Sequence, residues 1–247
     1  MNRIKDYDRL AFDIDRWLKD YYYMHSIKAF VVGVSGGIDS AVVSTLCAKT
    51  ELPTYVLTMP LHSKEGNTKL SDAHAKALMK KYSNVRVVNI DLSNTYESLL
   101  FDIDQDFVNN KLANANTKSR LRMVTLYQVA GSVGGIVVGT GNKVEDYGVG
   151  FYTKYGDGGL DIAPIADLYK TEVWELGEYL EVDERICEAA PTDGLWSDKR
   201  TDDEQLGATY SELEEAMEHG TGPAVNILKE YQEKNAHKMN PIPTFKL

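Results

Sequence analysis

The sequence predicts an α/β fold with a doubly wound parallel sheet, because short apolar runs alternate along the chain with segments of helical periodicity. The apolar runs are of the kind that forms buried strands, and they lie at 28–34, 53–60, 85–92 and 134–142. Residues 161–165 offer a fifth, shorter strand. No repeat, linker or low-complexity tract interrupts the pattern, so we expect one domain spanning residues 1–247.

The helical segments follow the strands in order. At the N-terminus, apolar residues recur at three- and four-residue spacing from Ile4 to Leu18, which predicts an amphipathic helix. The strongest pattern is 116–130, which we expect to end at Gly131. The other predicted helices lie at 40–49, 70–82, 170–180, 211–220 and 224–238. The polar segment 191–207 is the most loop-like stretch, and we expect a mobile loop there that orders over a ligand.

Composition excludes several classes of function. The formal net charge of −10 argues against general binding to nucleic acid or to an anionic membrane. Two cysteines, Cys47 and Cys187, cannot form a disulfide framework or a four-cysteine zinc site. No apolar stretch approaches the roughly 18 residues of a membrane span, and the N-terminus has no signal-peptide core. We expect a cytoplasmic protein.

The stretch GVSGGIDS follows the first predicted strand and opens the next helix. Glycines let backbone N–H groups approach an anion, serine hydroxyls add donors, and the helix N-terminus attracts negative charge. It is not a Walker A loop, because it has no lysine, nor a dinucleotide fingerprint, because Ser35 replaces the second glycine. The later GTGNKV fails the same test at Val144.

Asp39 is unexpected in this phosphate-binding turn, because a carboxylate repels phosphate. It is explained if Asp39 holds Mg²⁺ that bridges to the phosphates. The alternative is an ordinary helix start, with Ser35 as the cap and Asp39 favoured by the helix dipole.

The S-G-G-x-D-S turn resembles the pyrophosphate loop of the N-type ATP pyrophosphatases, which cleave ATP between the α- and β-phosphates. Four further stretches resemble one of their families, the ammonia-dependent NAD⁺ synthetases: NANTKSRLRMVTLYQVA, GTGNKVEDYGVGFYTKYGDGGLDIAPIADLYKTEV, PTDGLW with TDDEQLG, and NAHKMNPIP. The resemblance spans nearly the whole chain. It implies the Rossmann-like adenine nucleotide alpha hydrolase fold, flanked by helices.

The resemblance also implies a reaction. ATP adenylates the nicotinate carboxylate of deamido-NAD⁺, ammonia displaces AMP, and the products are NAD⁺, AMP and pyrophosphate. This is the final step of NAD⁺ biosynthesis, and the enzyme is a carbon–nitrogen ligase (EC 6.3.1.5). Mg²⁺ is the implied cofactor and ATP the co-substrate. Glutamine-dependent relatives carry an added amidase domain, so we expect free ammonia as the direct donor here.

The site residues implied by the resemblance fall into four groups. The ATP-binding group comprises Gly33, Val34, Ser35, Gly36, Gly37, Ile38, Asp39, Ser40, Thr140, Lys170 and Thr192. The metal ligands are Asp39 and Glu145, and the deamido-NAD⁺ contacts are Arg120, Lys154, Asp161, His237 and Lys238. Asp157 and Lys170 are the implied catalytic residues, Asp157 near the nicotinate group and Lys170 at the α-phosphate. One extra residue relative to many relatives blurs the match at 146–149. From helical spacing, Arg122 is expected to be a solvated surface arginine.

Other assignments compete with this interpretation. A GMP-synthetase-type or asparagine-synthetase-type ligase shares the turn but should lack TKYGDGGLD and the final HK. A tRNA-thiolating enzyme would need catalytic cysteines and a basic surface. A non-catalytic adenine-nucleotide sensor would bind ATP without turnover. Family members are homodimers, and the aromatic N-terminal helix, with Trp17 and Tyr21 to Tyr23, suits either a partner surface or core packing.

Overall fold

A computed structural model describes residues 3–62, 65–192 and 201–246. Within them, a parallel sheet has the strand order β3-β2-β1-β4. The strands are β1 (Phe30–Gly33), β2 (Thr54–Thr58), β3 (Val85–Asn89) and β4 (Ile136–Val137). Phe30 pairs with Thr54 on one side and with Ile136 on the other. The predicted parallel α/β architecture is therefore confirmed.

Helices connect and cover the strands. They are α1 (Tyr7–Met24), α2 (Ile38–Lys49), α3 (Glu65–Lys81), α4 (Ser93–Asp102), α5 (Gln105–Val108), α6 (Lys111–Val133), a π-helix (Val144–Val149), α7 (Lys170–Tyr179), α8 (Glu184–Cys187), α9 (Asp202–Leu206), α10 (Tyr210–His219) and α11 (Val225–Met239).

Both faces of the sheet are covered, as the continuous apolar strands require. Phe30 and Val32 point to one face, where they pack in a core with α1, α2 and α7. Val31, between them, points to the opposite face and packs with residues of α4 and α6. Because successive side chains of β1 point to opposite faces, this one strand contributes to two hydrophobic cores. The C-terminal helices α10 and α11 form a third core with the π-helix.

In the segment 134–142, predicted to be a buried strand that runs into a loop, the strand is short. Only Ile136 and Val137 pair as a strand, and Val138 forms an isolated parallel bridge to Ile162, which is all that remains of the predicted fifth strand. Beyond Val138 the chain leaves the sheet. The buried side chain of Asn142 then accepts hydrogen bonds from the N–H groups of Val144 and Glu145. This turn directs the chain into the π-helix at the carboxyl edge of the sheet.

Helix α6 is longer than predicted at both ends. It begins after Asn110, whose side chain accepts a hydrogen bond from the Ala113 N–H, and it continues past Gly131. It ends at Gly134, where φ is +66°, a conformation that glycine adopts without strain. The predicted end at Gly131 is wrong, because the local sequence does not show which of the glycines adopts the left-handed conformation.

The predicted loop 191–207 contains a short helix at its C-terminal end. Thr201 and Glu204 cap the start of α9 reciprocally, and Gly207, with φ of +77°, ends it. Residues 193–200 of that loop lie outside the described residues. Helices α4, α5 and α8 and the π-helix were not predicted, because each is short or lacks clear apolar periodicity. None of the described helices is long and apolar enough to span a bilayer.

The stability of this fold should depend on pH through His74 of α3. It is buried, and its Nε2 lies 2.9 Å from Ser44 Oγ of α2. The Ser44 hydroxyl donates to the Ser40 carbonyl at 2.7 Å, so His74 is the donor to Ser44. Burial lowers the pKa of His74 to about 4.

We therefore expect the free energy of unfolding to fall on acidification below pH 6.5, where the unfolded chain takes up a proton that folded His74 does not. The loss should reach about 2–3 kcal/mol between pH 7 and pH 4.5. Urea unfolding of His74→Gln should show a flatter pH dependence, whereas the exposed control His25→Gln should follow the wild type. Equal slopes for the wild type and His74→Gln would contradict this assignment.

Candidate active site

The carboxyl ends of the strands open into a cleft of about 1350 Å³. Its walls come from the turn after β1, the end of β2, α6, the segment 137–160 and α11. This is the edge at which doubly wound sheets bind ligands. The volume exceeds what one drug-sized ligand fills, so two nucleotides can lie in it together.

The turn after β1 forms one end of the cleft. Gly36 has φ of +94°, which explains its glycine. The Ser40 hydroxyl donates to the Gly37 carbonyl at 3.0 Å and accepts from the Ser35 N–H at 3.1 Å. Gly37 caps α2 with no side-chain hydrogen bond to the helix start, so Ser35 is not the N-cap. The turn is thereby fixed, with the N-terminus of α2 directed to the cleft.

Lys170 occupies the centre of the site, at the start of α7. Its Nζ donates to Asp39 Oδ2 at 2.5 Å and to Glu145 Oε1 at 3.2 Å, and its side chain is only 3% exposed. The ammonium also lies 4.9 Å from the ring centre of Tyr210. Burial alone would lower the pKa of Lys170, but the carboxylates of Asp39 and Glu145 raise it above its ordinary value. Lys170 is therefore charged at neutral pH.

Two further side chains fix the carboxylates. Asn142 donates from Nδ2 to Asp39 Oδ1 at 3.1 Å, while its Oδ1 holds the start of the π-helix that carries Glu145. The Tyr210 hydroxyl lies 2.8 Å from Glu145 Oε1 and 3.2 Å from Asp202 Oδ2. Burial and these carboxylates raise the pKa of Tyr210, so its hydroxyl stays protonated. Glu145 is thus connected to α9 as well as to α7.

Asp39 and Glu145 have the donor chemistry that Mg²⁺ needs when it is bound through one or two carboxylates and the phosphates of a nucleotide. Lys170 lies between the same two carboxylates, so it and a metal compete for their oxygens. The described residues contain no group of three or more histidine, cysteine or acidic side chains placed to hold a metal. The pair fits Mg²⁺ that arrives with phosphate ligands.

Asp157 lies across the cleft on the glycine-rich segment 156–159. Its Oδ1 accepts from the Ser119 hydroxyl at 2.6 Å and from the Thr153 N–H at 3.0 Å, and its own N–H donates to Ser119 Oγ. A Cβ on Gly156 would lie 2.3 Å from Ser119 Oγ, so only glycine allows this approach to α6. Burial raises the pKa of Asp157, and the hydrogen bonds from Ser119 and Thr153 oppose that rise.

Comparison with known proteins agrees with this geometry. The family model described as NAD synthase matches residues 10–242. A curated NH(3)-dependent NAD(+) synthetase of Carboxydothermus hydrogenoformans is 37% identical over 90% of each chain, and one of Finegoldia magna is 33% identical over 97% of each. The chain belongs to the NAD synthase family.

Solved structures of the family share the fold. The NMN synthetase of Francisella tularensis superposes with a TM-score of 0.91, at 31% identity, over 99% of this chain and 100% of that one. The NH3-dependent NAD synthetase of Campylobacter jejuni superposes with a TM-score of 0.79, at 24% identity, over 98% and 100% of the two chains.

Most residues implied by the family resemblance line the cleft. They are Gly33, Val34, Ser35, Asp39, Ser40, Thr140, Glu145, Asp157 and Thr192, together with Arg120, Lys154, His237 and Lys238. Lys170 reaches Asp39 and Glu145 from behind them. Gly36, Gly37 and Ile38 are not part of the lining, and the Ile38 side chain is in the core. Any role of these three in binding nucleotide therefore falls to the backbone.

Hydrogen bonds from lysine side chains to backbone carbonyls join the last turn of α11 to the segment before Asp157. Lys154 donates from Nζ to the His237 carbonyl at 2.9 Å, and Lys238 donates to the Tyr152 carbonyl at 2.8 Å. Arg120 donates to the Lys154 carbonyl at 3.3 Å from two of its nitrogens. Three of the five implied deamido-NAD⁺ contacts, Arg120, Lys154 and Lys238, therefore form one cationic wall, which the His237 carbonyl helps to hold together.

Asp161 lies apart from the other implied contacts. Its carboxylate accepts from the Val137 N–H at 2.8 Å and from the Tyr127 hydroxyl at 3.0 Å, and it is not among the residues that line the cleft. In the described chain it holds the end of β4 to α6.

Three residues that the sequence analysis did not assign to the site belong to it. Arg122 lies in the cleft wall with its Nε 3.3 Å from the Met59 carbonyl, so its expected place on a solvated surface is wrong. Asp146 faces Gly141, where any Cβ would lie 2.4 Å from its carboxylate, and burial raises its pKa to about 7. Tyr210 holds Glu145. Arg122 could have been found from its spacing to Ser119 on α6, whereas no sequence pattern indicates Asp146 or Tyr210.

Proposed function

We propose that this protein uses ATP and ammonia to amidate the nicotinate carboxylate of deamido-NAD⁺, giving NAD⁺, AMP and pyrophosphate. The observation that carries the proposal is a single cleft that joins a phosphate-binding turn, a lysine between two acidic side chains and a carboxylate held opposite them. Family membership and relatives named NH(3)-dependent NAD(+) synthetase support it.

In the first step, the nicotinate carboxylate forms a bond to the α-phosphorus of ATP, and the bond to the bridging oxygen breaks as pyrophosphate leaves with its electron pair. The N–H groups and hydroxyls of the turn 35–40 bind the departing phosphates. Lys170 turns its ammonium from the carboxylates to the phosphates and stabilises the developing charge. Mg²⁺, which Asp39 and Glu145 would hold, supplies further positive charge at the phosphates.

In the second step, ammonia attacks the activated carbonyl carbon, and the bond to AMP breaks. The attacking nitrogen begins as ammonium and must lose a proton. We assign the binding of ammonium to Asp157, whose carboxylate is held by Ser119 and Thr153 at the wall of the cleft. Its raised pKa makes it a better proton acceptor than an ordinary aspartate.

A second candidate substrate is nicotinic acid mononucleotide, which would give NMN. The favouring observation is the match to the NMN synthetase of F. tularensis, which covers 99% of this chain and 100% of that one at a TM-score of 0.91. The mononucleotide offers the same carboxylate to the same catalytic groups and lacks only the adenylyl half of deamido-NAD⁺. The two candidates therefore differ in substrate and share the chemistry.

A direct assay tests both. Purified protein with ATP, Mg²⁺ and ammonium should convert deamido-NAD⁺ to NAD⁺, with a kcat/KM above that for nicotinic acid mononucleotide. Lys170→Met should lose at least about 100-fold in kcat, because the cation at the reacting phosphate is gone. Lys143→Met removes an ion pair to the exposed Asp167 and serves as the matched control.

A higher kcat/KM for the mononucleotide would mean that nicotinic acid mononucleotide, and not deamido-NAD⁺, is the preferred substrate. If neither substrate is amidated and ATP is not cleaved, the proposed function is wrong. Binding of ATP without turnover would support a nucleotide sensor.

We also infer that the enzyme works as a homodimer. Tyr21 and Tyr22 of α1 pack against the core, but Trp17 is 43% exposed and Tyr23 is 68% exposed. On the helices that cover the other face of the sheet, Phe101 and Phe107 are 84% and 71% exposed. Such surfaces favour a second copy as partner. Light scattering should give twice the 27.6 kDa of one chain, and a mass of one chain would contradict the inference.

A further inference from the structure

Helix α6 forms one wall of the cleft, and three of the side chains that it contributes at helical spacing are Ser119, Arg122 and Leu126. Ser119 holds Asp157, so the first of these positions marks the side where the nicotinate group would bind. Leu126 lies against the start of the phosphate-binding turn, where a Cβ on Gly33 would be 3.5 Å from its Cδ1. Arg122 therefore lies between the side of the cleft that holds Asp157 and the side formed by the phosphate-binding turn.

The guanidinium of Arg122 is partly buried in the cleft wall, without an anionic partner among the described residues. In the described part of the chain its only hydrogen bond runs from Nε to the Met59 carbonyl, and no carboxylate lies within 4.0 Å. The negative charge of Asp157 favours the charged form of Arg122 and so opposes the fall in its pKa. The Asp157 carboxylate, however, already accepts hydrogen bonds from Ser119 and Thr153. Burial lowers the pKa of Arg122, and a buried charge without a partner destabilises the free protein.

Its neighbours strengthen this conclusion. Lys118, one turn earlier on α6, also lines the cleft and lies 5.4 Å from the ring centre of Tyr96. Burial and the charge of Arg122 lower the pKa of Lys118. Two cations thus lie in repulsion on one helix face that looks into the cleft. An anion in the space before them would relieve this repulsion.

We propose that Arg122 is a catalytic residue that binds the phosphate remaining with adenosine, first as the α-phosphate of ATP and then as the phosphate of the acyl-adenylate. The proposal rests on the adenylation chemistry of the proposed function, although the phosphate contact can be measured with AMP alone. The departing phosphates belong to the turn 35–40 and Lys170. The α-phosphorus must face a carboxylate held near Asp157, and Arg122 lies between these two places.

The guanidinium suits this position because its planar N–H groups can bind two phosphate oxygens at once. As the carboxylate oxygen bonds to the α-phosphorus and pyrophosphate leaves, Arg122 neutralises charge on the non-bridging oxygens and transfers no proton. In the second step the same contact stabilises AMP as it leaves the carbonyl carbon.

The first measurement compares the binding of AMP and of adenosine by calorimetry. Arg122→Gln should weaken AMP binding by about 10- to 100-fold, the range for a charged hydrogen-bonded contact, and leave adenosine within about twofold of the wild type. Arg86→Gln is the matched control, because Arg86 is exposed on β3. An equal loss for both ligands would mean that Arg122 only supports the cleft, and an unchanged affinity for AMP would also overturn the proposal.

The second measurement separates catalysis from folding. Arg122→Gln should lower kcat by about 100-fold while its thermal midpoint stays at or above that of the wild type, because an unpaired buried charge has been removed. Arg122→Lys keeps the charge and loses the two-pronged contact, so its kcat should also fall. A lowered midpoint with normal kcat would overturn the proposal. If the wild type amidates neither nicotinate substrate, the proposed function fails, whereas the AMP comparison still decides the role of Arg122.

Discussion

The ion pair that Lys170 makes with Asp39 and Glu145 is the contact on which the rest of the site depends. It joins the start of α2, the π-helix and the start of α7, three segments that are far apart in the sequence. Two acidic side chains this close repel each other unless a cation lies between them. Asn142 and Tyr210 then fix each carboxylate from a second side.

The arrangement of charge explains how an acidic protein can bind two anionic substrates. The formal net charge is −10, yet the cleft gathers Lys118, Arg120 and Arg122 of α6 together with Lys154 and Lys238. These cations line the walls, while Asp39, Glu145 and Asp157 lie at the points where metal, lysine or ammonium would bind. Because opposite charges alternate over short distances, the cleft favours a ligand that carries both phosphate groups and a cation.

Local patterns in the sequence predicted the parallel sheet, whereas the family resemblance implied the set of site residues, most of which line the cleft. Continuous apolar runs identify buried strands, and the turn 33–40 follows the first of them. They could not show that β4 ends at Val137 or that Gly134, and not Gly131, ends α6, because tertiary contacts decide both. Arg122 was misjudged because exposure is the usual state of arginine, and only the fold shows that the helix face belongs to the cleft.

The most direct test of this account is a calorimetric titration of Mg²⁺ without nucleotide. If Lys170 neutralises the metal-binding carboxylates until the phosphates of ATP draw it away, the wild type should bind Mg²⁺ only weakly, with a Kd above about 1 mM. Lys170→Met should bind at least about tenfold more tightly, because the two carboxylates then lack a cation. The control Lys143→Met should match the wild type. Tight binding by the wild type, or no gain in Lys170→Met, would contradict the account.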